Sequence, residues 1–136
     1  MNTNTGPDQY QPGVCNIGPS EVRVRRLFFR ITLAVTLLMT IAAVFWSHSI
    51  PMFILMLFAS FSMIVLHFEI RYRFCILFGF FNLHNFRQLG NLEEVKSEHH
   101  SKLDRKRVWK IVLQSFAFAL LYSSTIHFIA ERSHGH

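Results

Sequence analysis

The chain has 136 residues, 51% of them hydrophobic, and a formal net charge of +6. That hydrophobic share, gathered into three long apolar runs, excludes an ordinary soluble domain. The positive charge flanks the runs and comes with no nucleic-acid motif, so it reads as topogenic charge held against anionic lipid, with no nucleic-acid partner expected.

Residues 1–17 are polar and rich in Pro and Gly and lack the apolar stretch of a signal peptide. They are expected to form a flexible cytoplasmic tail. Gly18-Pro19-Ser20-Glu21 reads as a helix start, because Pro suits the first helical position and Glu in the first turn complements the helix dipole. The first helix should run from Pro19 to Trp46, with residues 27–46 crossing a bilayer, for which a helix needs roughly 20 residues. Arg23, Arg25 and Arg26 would stand in the interface, and Arg30 would snorkel back to the headgroups. Pro51 opens the second helix, whose span covers residues 50–68 and forms an antiparallel hairpin with the first. Glu69 and Arg73 are spaced to pair at its inner end.

Residues 74–86 hold an apolar stretch too short to span. Positive charge on both flanks keeps them on one side, as an interfacial helix or a re-entrant element. Residues 87–103 read as a cytoplasmic loop. Ser101-x-x-Asp104 resembles a capping box ahead of a third span over residues 108–130, with Trp109 at the interface and residues 132–136 as an outer tail. The expected fold is all-α: an integral membrane bundle of three transmembrane helices plus a short cytoplasmic-side helix, residues 18–131 making one domain.

All 14 Lys and Arg residues except Arg132 fall on one side of this arrangement, among them Arg105, Lys106 and Arg107 ahead of the third span. Positive charge is retained in the cytoplasm, which places the N-terminus inside and the C-terminus outside.

Three sets of residues are candidates for function. Ser115, Ala119 and Ser123 form a small-residue ridge on the third span, and Cys75 and Gly79 repeat the spacing. In lipid such ridges let helices approach closely, either inside the bundle or against another subunit, with Trp46 and Trp109 at the edges of that face. Among eight histidines, depth allows His67 to meet His84 near the inner face and His48 to meet His127 near the outer face. Either pair offers ligands for haem iron or a metal, and a single His beside small residues could hold the magnesium of a chlorophyll-type pigment. Cys15 and Cys75 both lie toward the cytoplasm, too few for a disulfide framework but able in principle to share a metal. Catalytic signatures are missing: the chain has no Gly-rich phosphate loop, HExxH, GxSxG or CxxC. No carboxylate lies mid-span to carry protons.

The stretch Cys15-Asn16-Ile17-Gly18-Pro19-Ser20-Glu21-Val22, followed by Arg23, Arg25 and Arg26, together with Arg73-Phe74-Cys75, Gly79, Asn82 and Asp104-Arg105-Lys106-Arg107, resembles a group of small bacterial membrane proteins of unassigned function with a C-x-I-G-P-x-E-[IV] opening before the first span. The resemblance implies a bacterial inner-membrane protein, carries over no catalytic residues, and draws attention to Cys15, Gly18, Pro19, Glu21, Cys75, Gly79 and Asn82. The function expected is that of a non-catalytic accessory or assembly subunit, packing against other membrane subunits or copies of itself. The alternatives are a haem-, metal- or pigment-binding electron-transfer or light-harvesting subunit, and a small oligomeric transporter or channel.

Overall fold

The computed structural model describes residues 9–46, 49–84 and 92–135. Its elements in chain order are α1 (Pro19–Phe45), α2 (Ile50–Tyr72), α3 (Ile76–Phe80), β1 (Leu83–His84), β2 (Glu93–Glu94) and α4 (Glu98–His134). The fold is all-α, and α1, α2 and α4 are long and apolar enough to cross a membrane. The protein is accordingly a multi-pass membrane protein.

Local chemistry explains most boundaries. Pro19 and Glu21 sit in the first turn of α1, where a missing N–H is harmless and a carboxylate meets the dipole. The end of α2 is a Schellman cap: Arg73 takes φ 51°, and the Phe74 N–H donates to the Glu69 carbonyl at 3.0 Å. Phe74, with no exposed surface, then packs with Val108 and Ile111, and Phe68 lies against the same cluster. α4 starts earlier than the Ser101-x-x-Asp104 pattern suggests. Ser97 caps it, its Oγ accepting from the His100 N–H at 3.5 Å and its carbonyl from the Ser101 N–H at 3.0 Å. Asp104 is released from capping for another use.

The short inner helix expected over residues 74–86 is only five residues long. It stops because Asn82 adopts φ 59° and turns the chain into β1, which pairs antiparallel with β2 through Leu83↔Glu94 and His84↔Glu93. The expected loop over residues 87–103 therefore contains a strand and the first turns of α4, and residues 85–91 lie outside the described residues.

The chain divides into two compact units, Met1–Leu27 with Phe68–Val112 and Phe28–His67 with Leu113–His136. The first holds most of the charge. The second has no Asp, Glu, Lys or Arg from residue 31 to 67 or from 113 to 130.

Candidate functional site

The charged unit is built around the segment expected to be a flexible tail. Residues 9–17 are instead folded against the rest of that unit. Gln11 and Cys15 bridge across a tight turn, with Gln11 N–H to Cys15 O at 2.9 Å and Cys15 N–H to Gln11 O at 3.0 Å. Gly13 supplies the φ of +68° this turn needs, and a Cβ there would stand 3.2 Å from Leu103 Cβ. Asn16 follows with no exposed surface. Its Nδ2 donates to the Cys75 carbonyl at 3.1 Å and its Oδ1 accepts the Cys75 N–H at 2.7 Å. The backbone N–H groups of Asn16 and Ile17 both donate to the Arg73 carbonyl, at 3.1 and 3.2 Å. One side-chain amide thus satisfies the backbone where α2 gives way to α3, in the manner of a strand neighbour.

Beside it lies a buried charge cluster. Arg25 Nη1 donates to Glu21 Oε2 at 2.6 Å and Arg25 Nε to Glu69 Oε2 at 3.2 Å, the three side chains being 12%, 11% and 7% exposed. Glu69 Oε1 accepts the Ile76 N–H at 3.0 Å, so this carboxylate caps α3 while pairing with α1. The guanidinium carbon of Arg25 stands 5.5 Å from the Phe78 ring centroid. Arg25 is therefore an internal strut, whereas Arg23 and Arg26 are exposed.

Asp104, fully buried, accepts from the Tyr10 hydroxyl and the Gly13 N–H, each at 2.6 Å. The Tyr10 ring stacks on His84 with centroids 4.6 Å apart. Burial first, and Asp104 second, raise the Tyr10 hydroxyl pKa above its ordinary value. Asn82 completes the unit, its carbonyl accepting the Val95 N–H at 2.7 Å and its Oδ1 accepting from Ser101 Oγ.

The sequence candidates sort out as follows. Cys15 and Cys75 are both buried; Cys15 Sγ donates to the Gln9 carbonyl at 3.3 Å, and Cys75 packs with Ile17 and Val22. Burial, then the Glu69 charge, push the Cys75 thiol above its ordinary range, with Arg25 opposing. A thiol so held is inert at neutral pH rather than poised. Gly79 is packing, not a docking face: a Cβ there would lie 2.7 Å from both the Phe74 ring and Val108 Cγ2. The Ser115, Ala119 and Ser123 ridge also turns inward, each residue having no exposed surface, and Ser123 Oγ meets Ser60 Oγ at 3.3 Å. The ridge is thus internal helix packing and leaves Trp46 and Trp109 as the exposed members of the proposed face.

The histidines stand on aromatic rings. His67 faces Phe29 at 6.0 Å and His127 meets Phe53 edge-on at 5.5 Å, both in the apolar unit, while His84 stacks on Tyr10 in the charged one. His48 lies outside the described residues. Among the described residues, no three His, Cys, Asp or Glu side chains gather as a metal site.

Sequence reasoning missed the role of Asn16 and Tyr10. Asn16 falls at the unspecified position of the C-x-I-G-P-x-E-[IV] opening, and a polar Asn in a Pro- and Gly-rich stretch looks like loop. Comparison with known protein families, curated proteins and solved structures finds no match.

Proposed function

We propose that this is a non-catalytic accessory or assembly subunit of a bacterial inner-membrane complex, with its N-terminus in the cytoplasm. The observation that carries the reading is how little of the apolar surface the protein covers by itself. Only 11%, 17% and 22% of the apolar windows of α1, α2 and α4 are buried within it. Phe45, Trp46, Phe58, Leu113, Leu121 and Phe128 all stand outward. Lipid tolerates such faces, and so does a partner helix.

The interior of the apolar unit is taken up by links between helices. Thr40 Oγ1 and Tyr122 OH are 2.6 Å apart, and Ser60 meets Ser123. Its clefts are small or open: the one between Phe61 and Phe116 is about 140 Å³ with a wholly apolar lining, and the larger one beside Phe53, His127 and Glu131, about 390 Å³, is a shallow surface hollow. Substrate pockets run to roughly 300–1,000 Å³ and carry convergent polar groups. The buried Glu21, Arg25, Glu69 and Asp104 side chains of the charged unit are spent on one another, on Tyr10 and on backbone N–H groups, which suits a rigid platform better than chemistry.

Deleting the protein should destabilise a membrane complex, read on native gels of solubilised membranes, and gentle co-purification should recover the subunits it touches. Intact complexes in the deletion strain, with the protein purifying alone, would sink the proposal. A visible absorption band in the purified protein would redirect it to a pigment or haem carrier.

A further inference from the structure

On the charged unit, Pro12 and Gly13 of the folded N-terminal segment and Leu103, Lys106, Arg107 and Lys110 of α4 line a hollow of about 240 Å³. The four α4 residues recur at i, i+3, i+4 and i+7, so one helix face delivers all three cations to it. We propose that this hollow binds the phosphodiester headgroup of an anionic phospholipid.

Four observations support the proposal. Lys106 and Lys110 are exposed and line the hollow. Arg107 is partly buried, its guanidinium carbon 4.3 Å over the Tyr72 ring, which fixes the side chain. Its Nε is buried and finds no hydrogen-bond partner among the described residues. A guanidinium held in one place at the wall of the hollow matches a phosphate, because the planar fork of Arg suits phosphate geometry. The adjoining acid, Asp104, has its two oxygens turned to the Tyr10 hydroxyl and the Gly13 N–H, which leaves the lysines of the hollow open to an outside anion.

Depth selects lipid over a free phosphate. Lys110 directly precedes the uncharged run 111–130, and exposed Trp109 marks the interfacial layer. The cations therefore stand at headgroup level, where basic pockets beside membrane helices hold anionic lipid. The site is independent of the accessory-subunit reading; it needs only that α4 crosses a bilayer.

The test is native mass spectrometry of the full chain released from nanodiscs containing equal phosphatidylglycerol and phosphatidylcholine. The wild type should retain phosphatidylglycerol preferentially. Removing two membrane-facing cations with Lys106→Gln/Lys110→Gln should cut that preference about 30-fold. The charge-matched pair Lys96→Gln/Lys102→Gln, exposed but outside the hollow, should keep it. Thermal unfolding in detergent checks that both variants are folded. Equal losses in the two variants would mean diffuse surface attraction and overturn the site. No loss in either would overturn it too. Inorganic phosphate binding equally well in lipid-free detergent would overturn the lipid assignment.

Discussion

Replacing Asn16 with Ala tests the organising contact of the charged unit. The side chain serves both the N–H and the C=O of Cys75, and its loss strands two buried backbone groups. Each stranded group costs about 1–3 kcal/mol, and with partial hydration of the gap the sum is about 3 kcal/mol. That is a large share of the 5–15 kcal/mol that typically holds a domain. The Cys75 thiol, 2% exposed, reports the opening directly. In a Cys15→Ser background, which keeps a donor for the Gln9 carbonyl, maleimide labelling of Cys75 in mild detergent follows the population of the opened state. Asn16→Ala should accelerate it roughly a hundredfold, since 1.4 kcal/mol is a factor of ten. Thr125→Val, which removes an exposed hydroxyl bonded only to its own helix, should leave the rate unchanged. If Asn16→Ala labels no faster than its parent, the amide does not hold the chain and the description of the unit is wrong.

Gly79→Ala should lower the melting temperature by the equivalent of about 1–3 kcal/mol, the usual penalty for overpacking, and Val108→Ala in the same chain should recover part of it. Melting unchanged by Gly79→Ala would contradict the packing. Asp104→Ala should release the N-terminal segment, so that limited proteolysis cleaves within residues 9–17 while α4 survives, at a cost of about 1.5–3 kcal/mol per lost bond to the carboxylate. Stability should also fall in mild alkali. The folded Cys75 pKa lies above its unfolded value of about 8.5, so the folded state holds the proton longer. The contribution is complete below that pH and is lost as pH rises toward the folded pKa. Denaturant unfolding at pH 8, 9 and 9.8 should show the decline, and Cys75→Ala should flatten it; parallel slopes would refute the assignment.

The membrane architecture was legible because the bilayer imposes a length and a polarity that single residues reveal. The apolar runs and Pro19 place α1 and α2 nearly where they are found. The charged unit was not legible, because its contacts are long in sequence and made by residues whose local signals point elsewhere. Tyr10, Asn16 and Asp104 read as tail, loop and helix cap, yet each bonds a group 59 to 94 residues away. The Glu69–Arg73 spacing suggested a local pair and gave no hint of the distant one, in which Glu69 takes Arg25 of α1 on one oxygen and the Ile76 N–H on the other. The small-residue ridge was recognised, but periodicity alone does not say whether a ridge faces inward or out; burial of Ser115, Ala119 and Ser123 decides that it faces inward.

The docking of the amino end imposes an order on biogenesis. Asn16 leaves the ribosome long before the Cys75 backbone it serves, and Tyr10 longer still before Asp104. Asn16 has only water to bond until the Cys75 backbone has been made, and Tyr10 until Asp104 has. A chain made only as far as residue 103 lacks the carboxylate that takes the Tyr10 hydroxyl and the Gly13 N–H, so full docking of residues 9–17 requires that synthesis has passed the base of α4.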